Sequence, residues 1–205
     1  MSKRSPRDPR KRATQRRQEA RRFLIVCEGE KTEPTYFRAI APASSHTIRV
    51  RGKGRGAPKL VGETIRLLHS EGEDTYDEVW CVFDIDRMTK VQFDEATRLA
   101  RRAPKREISL AYSNPCFELW YLLHFATWGT STSCDICQGE LSKYLGKPYS
   151  KREKDLEATN KYCIKACDNA IENAKNLLTR YVPQNPVADN PSTTVHLLVQ
   201  NLLKI

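Results

Sequence analysis

Three carboxylates stand where buried strands are expected to end. Phe23-Leu24-Ile25-Val26-Cys27 is an unbroken apolar run that stops at Glu28-Gly29, and Val79-Trp80-Cys81-Val82-Phe83 stops at Asp84-Ile85-Asp86. Short apolar runs bounded by turn residues fit strands buried on both faces. Ligands of open α/β sheets bind beyond the carboxyl ends of such strands. In extended backbone, residues i and i+2 point the same way, so Asp84 and Asp86 can face one cation while Ile85 turns into the core. Glu28, Asp84 and Asp86 are hard oxygen donors that suit Mg²⁺ or Mn²⁺ and suit zinc poorly. Magnesium keeps several waters and completes its shell with substrate phosphate. The expected chemistry is therefore metal-assisted attack on a phosphodiester. A D-x-D alone is common in surface turns; two buried runs each ending in a carboxylate carry more weight.

The elements that must position these groups alternate. A strand at about 23–27 leads into a helix holding Tyr36, Phe37 and Ile40, and 46–50 reads as a weaker strand. Helical spacing of Leu60, Val61, Thr64, Ile65 and Leu68 predicts a helix over 59–70. A strand at 78–83, a helix at 90–103 and a strand at 107–112 follow. Ser113-Asn114-Pro115 is expected to cap and open a largely buried helix from Cys116 to about Ala126. Such alternation predicts an α/β fold: an open, mostly parallel sheet with helices on both faces. Residues 127–152 read as a polar insertion with a short helix near 139–145. One long helix is expected over 153–181, and Asn190-Pro191-Ser192 introduces a last helix at 195–203. The expected organisation is a basic mobile arm (1–20), a catalytic core (21–126), and an insertion with C-terminal helices packing on that core (127–205).

Charge supports a polyanionic partner. The net charge is +10, and residues 1–22 carry ten Lys and Arg against Asp8 and Glu19, so most of the excess sits in the first tenth of the chain. So charged and apolar-poor a segment does not order itself, and contact with a nucleic-acid backbone is the expected use. Arg51-Gly52-Lys53-Gly54-Arg55-Gly56 alternates glycine with cations. It lacks P-loop spacing but suits backbone closing over phosphates; a basic turn without function fits equally. Lys53 and Arg55 in this loop, and Arg87 after Asp86, are candidate substrate contacts. Glu118 is the lone carboxylate of an apolar helix, and a buried charge needs a partner or a metal. It either pairs with a structural cation or belongs to the site.

Cys134-x-x-Cys137 and Cys163-x-x-x-Cys167 superficially match a four-thiolate zinc site, yet the second pair lies on an apolar helical stripe where thiols are ordinary core. No zinc is expected. The seven cysteines are an odd number, which disfavours a disulfide framework. With no apolar stretch of signal-peptide or membrane-spanning length, a cytoplasmic protein with no membrane partner is expected.

Glu28-Gly29 after the first strand and Asp84-x-Asp86 after a later one resemble the Toprim catalytic core of topoisomerases, primases and OLD-type nucleases. More narrowly, Cys27-Glu28-Gly29-Glu30-Lys31-Thr32-Glu33-Pro34-x-Tyr36-Phe37 resembles the RloB-like family, the second component of AbiL-type bacterial phage-defence systems. So do Val82-Phe83-Asp84-x-Asp86, Ser113-Asn114-Pro115-Cys116-Phe117-Glu118-Leu119-Trp120 and Asn190-Pro191-Ser192-Thr193. The resemblance implies a Toprim-like fold, a metal-dependent nuclease for abortive infection, and an OLD/AAA-type ATPase partner; an oligomer is compatible with it. It implies general acid or base work for Glu28 and cation binding for Asp84 and Asp86. Glu30, Glu33, Asn114 and Glu118 become candidates to complete the metal shell or orient substrate, and Lys31 a phosphate contact. The chain is too short for topoisomerase gates, and a primase would need a template-binding module. The alternatives are a non-catalytic nucleic-acid-binding or regulatory subunit of such an ATPase complex, or a nucleotide phosphotransferase.

Overall fold

A computed structural model describes residues 20–54 and 56–203. The expected basic arm, apart from its last residue, and Arg55 lie outside the described residues. The chain builds β1 (Arg22–Cys27), α1 (Thr32–Ile40), β2 (Thr47–Gly52), α2 (Ala57–Glu71), β3 (Glu78–Asp84), α3 (Lys90–Arg101) and β4 (Ser109–Asn114). It continues with α4 (Phe117–Leu122), α5 (Cys134–Leu145), α6 (Glu153–Lys165), α7 (Cys167–Leu178), β5 (Ser192–Thr193) and α8 (Val195–Leu203).

The sheet order is β2-β1-β3-β4-β5. The first four strands are mutually parallel, so their carboxyl ends share one edge, while β5 pairs antiparallel with β4. This is the expected open, mostly parallel α/β sheet with helices on both faces. The period of two splits β1 between two cores. Phe23, Ile25 and Cys27 pack with α1, α4 and the C-terminal helices, whereas Leu24 and Val26 pack with α2 and α3. Trp80 and Val82 of β3 join the first core, and Val79, Cys81 and Phe83 the second. Both faces of β1 and β3 are covered, which is why their sequences read as unbroken apolar runs rather than alternating ones.

Four local expectations change. The long helix predicted over 153–181 is two, broken at Ala166 (φ −109°, ψ 17°). Buried Leu156, Thr159, Asn160 and Cys163 of α6 continue at helical spacing into Cys167, Ala170, Ala174 and Leu177 of α7, and no Gly or Pro marks the break. The bend lets α6 pack on α1 and α7 on α4, α8 and β5, so tertiary packing sets it. The Ser113-Asn114 cap is not made: β4 runs through Asn114, and Cys116 occupies the cap position without a side-chain cap bond. Asn190-Pro191-Ser192 leads first into β5, where the Ser113 and Thr193 hydroxyls lie 2.9 Å apart, and only then into α8. The insertion's helix is longer than expected, starting at Cys134 behind Ser133, whose hydroxyl accepts from the Ile136 N–H.

Gly52 ends β2 where the chain passes the loop after β1. A Cβ there would meet the Glu30 Cα and the Gly29 carbonyl oxygen at 2.8 Å each, both backbone atoms that cannot swing aside. Gly52→Ala is expected to cost about 1–3 kcal/mol, as overpacking does, lowering Tm by about 2–4 °C per kcal/mol. Gly62 of α2 has open space around its Cβ position, so Gly62→Ala should raise Tm, since alanine is favoured in a helix by about 1 kcal/mol. Thermal melts of the two variants check both.

Candidate active site

Parallel pairing brings the acidic strand ends together. Cys27 lies opposite Val82, the Glu28 N–H donates to the Val82 carbonyl at 2.8 Å, and the Glu28 Oε2 accepts from the Asp84 N–H at 3.3 Å. β3 ends at Asp84, but ladder-like bonds continue: Ile85 N–H to Ser113 O at 2.8 Å and Asp86 N–H to Pro115 O at 2.9 Å. Ile85 is buried in the second core, as expected, while Asp84 is half-buried and Asp86 exposed. Two clefts of about 340 and 360 Å³ share Glu28 and Asp84 as a common wall. The first is lined further by Asp86, Arg87, Gln92 and Cys134, the second by Glu30, Lys31, Glu33, Gly54 and Lys151.

The loop after β1 is shaped by Glu33 at the start of α1. Its carboxylate accepts from the Gly29 N–H at 3.0 Å and fills the space a Gly29 side chain would need. An acid in a helix's first turn also meets the positive end of the helix dipole.

Like charges crowd this edge. Burial, then repulsion from Glu33, Glu118 and Glu28, push the Asp84 carboxyl well above its ordinary range. Burial raises Glu28 as well, against the backbone hydrogen bond from Asp84, and burial foremost raises Glu33, with Glu118 adding to it. Glu118, 1% exposed, is held by the Lys151 Nζ at 2.8 Å and the Tyr149 hydroxyl at 3.1 Å. Burial alone would lower Lys151, but the Glu118 carboxylate outweighs it and the ammonium is held charged.

The donor set fits a hard divalent cation. Glu28, Asp84 and Asp86 bring oxygen ligands to one cleft, and Asp84 carries a repulsion that a cation would relieve. Among the described residues no three His, Cys, Asp or Glu side chains form a ready-made metal cage. An ion there would take much of its shell from water or substrate, the habit of magnesium rather than zinc.

The remaining candidates fall in several places. Lys31 and Arg87 line the clefts; Arg87 lies 3.7 Å from its neighbour Asp86 and is nearly fully exposed. Lys53 is exposed, and its N–H donates to the Cys27 carbonyl at 3.0 Å. Arg55 is outside the described residues. The Asn114 amide donates to the carbonyls of Pro186 (3.0 Å) and Val187 (3.3 Å), so it holds the segment before β5. His124 is buried, with Nδ1 at 2.8 Å from the Trp120 carbonyl, and burial pulls it down to about 4. Cys163 and Cys167 belong to the core around Tyr36. Cys134 and Cys137 instead meet Cys116, so the four thiols weighed as a zinc set do not converge. Sequence reasoning missed Lys151 and Tyr149. The only signal was indirect: a carboxylate buried in an apolar helix requires a cation from elsewhere in the chain.

An α/β protein with an acidic carboxyl edge is thus the class that fold and site define. A family profile described as RloB-like protein matches residues 23–202, and the chain belongs to the RloB-like family. Comparison with curated proteins and with solved structures gave no match.

Two outcomes test the electrostatics. A carboxyl raised on folding destabilises the native state at pH above its folded value, and that cost fades as pH falls and the group protonates. Asp84→Asn is therefore expected to raise Tm at pH 8, with the gain shrinking toward pH 4; melts across that range decide. Lys151→Met leaves Glu118 buried without its cation and should cost roughly 1–3 kcal/mol, less than a fully buried pair because Lys151 is half-exposed. Adding Glu118→Gln should recover most of the loss in a double-mutant cycle.

Proposed function

We propose that this protein is a Toprim-type nuclease that cleaves nucleic-acid phosphodiesters with the help of Mg²⁺ or Mn²⁺. The observation that carries this reading is the shared wall of Glu28 and Asp84 between two clefts, one adding Asp86 and the other adding Lys31 and Lys151. Acidic groups for a cation and basic groups for a phosphate thus meet at one sheet edge. A divalent cation held by Glu28, Asp84 and Asp86 would polarise the scissile phosphate. Glu28, whose carboxyl burial raises toward working pH, is suited to accept or return a proton at its carboxylate. Lys31 and Lys151 are placed to meet phosphate oxygens, and Glu118 orients Lys151. The basic N-terminal arm supplies sequence-independent backbone contact.

Membership of the RloB-like family, together with the acidic edge, supports a place in antiphage abortive infection, in the cytoplasm, beside an OLD/AAA-type ATPase partner. Among the described residues no helix is long and apolar enough to cross a membrane. A second reading has its own support: the Glu28 carboxylate is engaged by the Asp84 N–H and no ready-made cage exists among the described residues, which suits a non-catalytic nucleic-acid-binding or regulatory subunit.

Incubating the purified chain, alone and with a co-expressed ATPase, with labelled DNA and RNA separates the two. Divalent-dependent cleavage is expected, falling at least about 100-fold in Glu28→Gln and Asp84→Asn and abolished by EDTA. Cleavage that persists in both variants and in EDTA would refute the nuclease, and binding without any cleavage would favour the regulatory subunit. Asp84→Asn is expected to be the more stable protein at neutral pH, so its loss of activity could not be ascribed to unfolding.

A further inference from the structure

Three of the seven cysteines meet beside the acidic cleft. Cys116 sits between β4 and α4, Cys134 is the first residue of α5, and Cys137 lies one turn further along. α4 packs on α5, and the Cys116 thiol is in hydrogen-bond contact with the thiols of both Cys134 and Cys137. Their exposure differs: Cys116 and Cys137 are buried, whereas Cys134 is part-exposed and lines the cleft beside Glu28, Asp84 and Asp86. Cys27, Cys81, Cys163 and Cys167 are all buried. Cys134 is thus the thiol a dissolved oxidant can reach, it opens a twelve-residue helix whose N-terminus favours a thiolate, and a second thiol already touches it.

We propose that Cys134 is an oxidation site, attacked by a hydroperoxide and resolved by Cys116 into a reversible disulfide that ties the start of α5 to the start of α4. The Cys134 sulfur attacks one peroxide oxygen, the O–O bond breaks, and a sulfenic acid and water (or an alcohol, from an alkyl hydroperoxide) result. The Cys116 sulfur then attacks the Cys134 sulfur, the S–O bond breaks, and water leaves with the Cys116 proton. Two thiols are oxidised by one electron each and one peroxide is reduced. Cys116 is the partner because its thiol hydrogen-bonds that of Cys134, whereas Cys137 acts on Cys134 only through charge and its sulfur lies 3.7 Å from the Thr132 hydroxyl. The trio is not arranged as a metal cage among the described residues, which favours redox chemistry over soft-metal binding. Cys116 follows Pro115, whose carbonyl accepts the Asp86 N–H at 2.9 Å, so the bond forms one residue from the backbone that positions the cleft, whatever the cleft binds.

The test needs no activity. The reduced full-length chain is treated with hydrogen peroxide, alkylated, digested and mapped by mass spectrometry, and its zinc content is measured as purified. A peptide pair linking Cys116 to Cys134 is expected, reversed by dithiothreitol, with Cys134 oxidised about tenfold faster than the other cysteines. The link should persist in Cys137→Ser and vanish in Cys134→Ser, a change at a part-exposed position whose folding circular dichroism verifies. Equal reactivity of all the cysteines, oxidation of Cys134 to sulfinic acid without a link, a Cys134–Cys137 link, or stoichiometric zinc lost in Cys134→Ser would each overturn the proposal.

Discussion

Repulsion among carboxylates gathered at one sheet edge is the constraint around which this molecule is arranged. Glu28, Glu33, Asp84 and Glu118 come from four different elements, and three of them are raised by burial, Asp84 and Glu33 further by one another's charge or that of Glu118. Burying like charges together disfavours the folded state unless something offsets it. Two offsets are visible. Backbone N–H groups of Gly29 and Asp84 donate to Glu33 and Glu28, and Lys151 reaches in from the segment between α5 and α6 to pair with Glu118. A divalent cation would be a third, which is why the same groups that strain the fold are the ones suited to bind it.

That arrangement needs a rigid platform, and the sheet supplies it. β1 and β3 are adjacent, parallel and covered on both faces, so their carboxyl ends cannot shift independently. The helical layers differ in weight. One face carries α2 and α3, while the other carries α1, α4 and the helices of the C-terminal half. The heavier face brings Lys151, Tyr149 and the thiols of Cys134 and Cys137 to the acidic edge, so the segment that reads as a polar insertion is part of the candidate site.

The antiparallel β5 closes the other end of this logic. Ser192 and Thr193 pair with Asn114 and Ser113, the Thr194 hydroxyl accepts from the Tyr112 N–H at 3.0 Å, and the Asn114 amide binds the preceding loop. The end of β4 is thereby locked just before Pro115 and Cys116, which connect to Asp86 and to the thiol cluster. Ser113, Asn114, Ser192 and Thr193 are therefore scaffold for the edge, and their polar side chains are consumed by one another.

Much of this was legible in the amino-acid order because it depends on local pattern. Two-faced burial forces unbroken apolar runs, so β1, β3 and the carboxylates ending them could be placed, and with them the parallel sheet and the convergence of Glu28 with Asp84. The stripe of α6 and α7 was equally legible as helix, but its break at Ala166 was not, because residues 163 and 167 keep helical spacing across it. Lys151 was invisible for a different reason. Its local context is a polar turn, and its importance arises only from Glu118, more than thirty positions earlier. The grouping of Cys116 with Cys134 and Cys137, and the separation of Cys163 and Cys167 from them, likewise depend on which helices pack together. Periodicity and strand ends are properties of neighbouring residues; charge pairing and thiol contact are properties of residues brought close by the fold, and only the tertiary structure decides those.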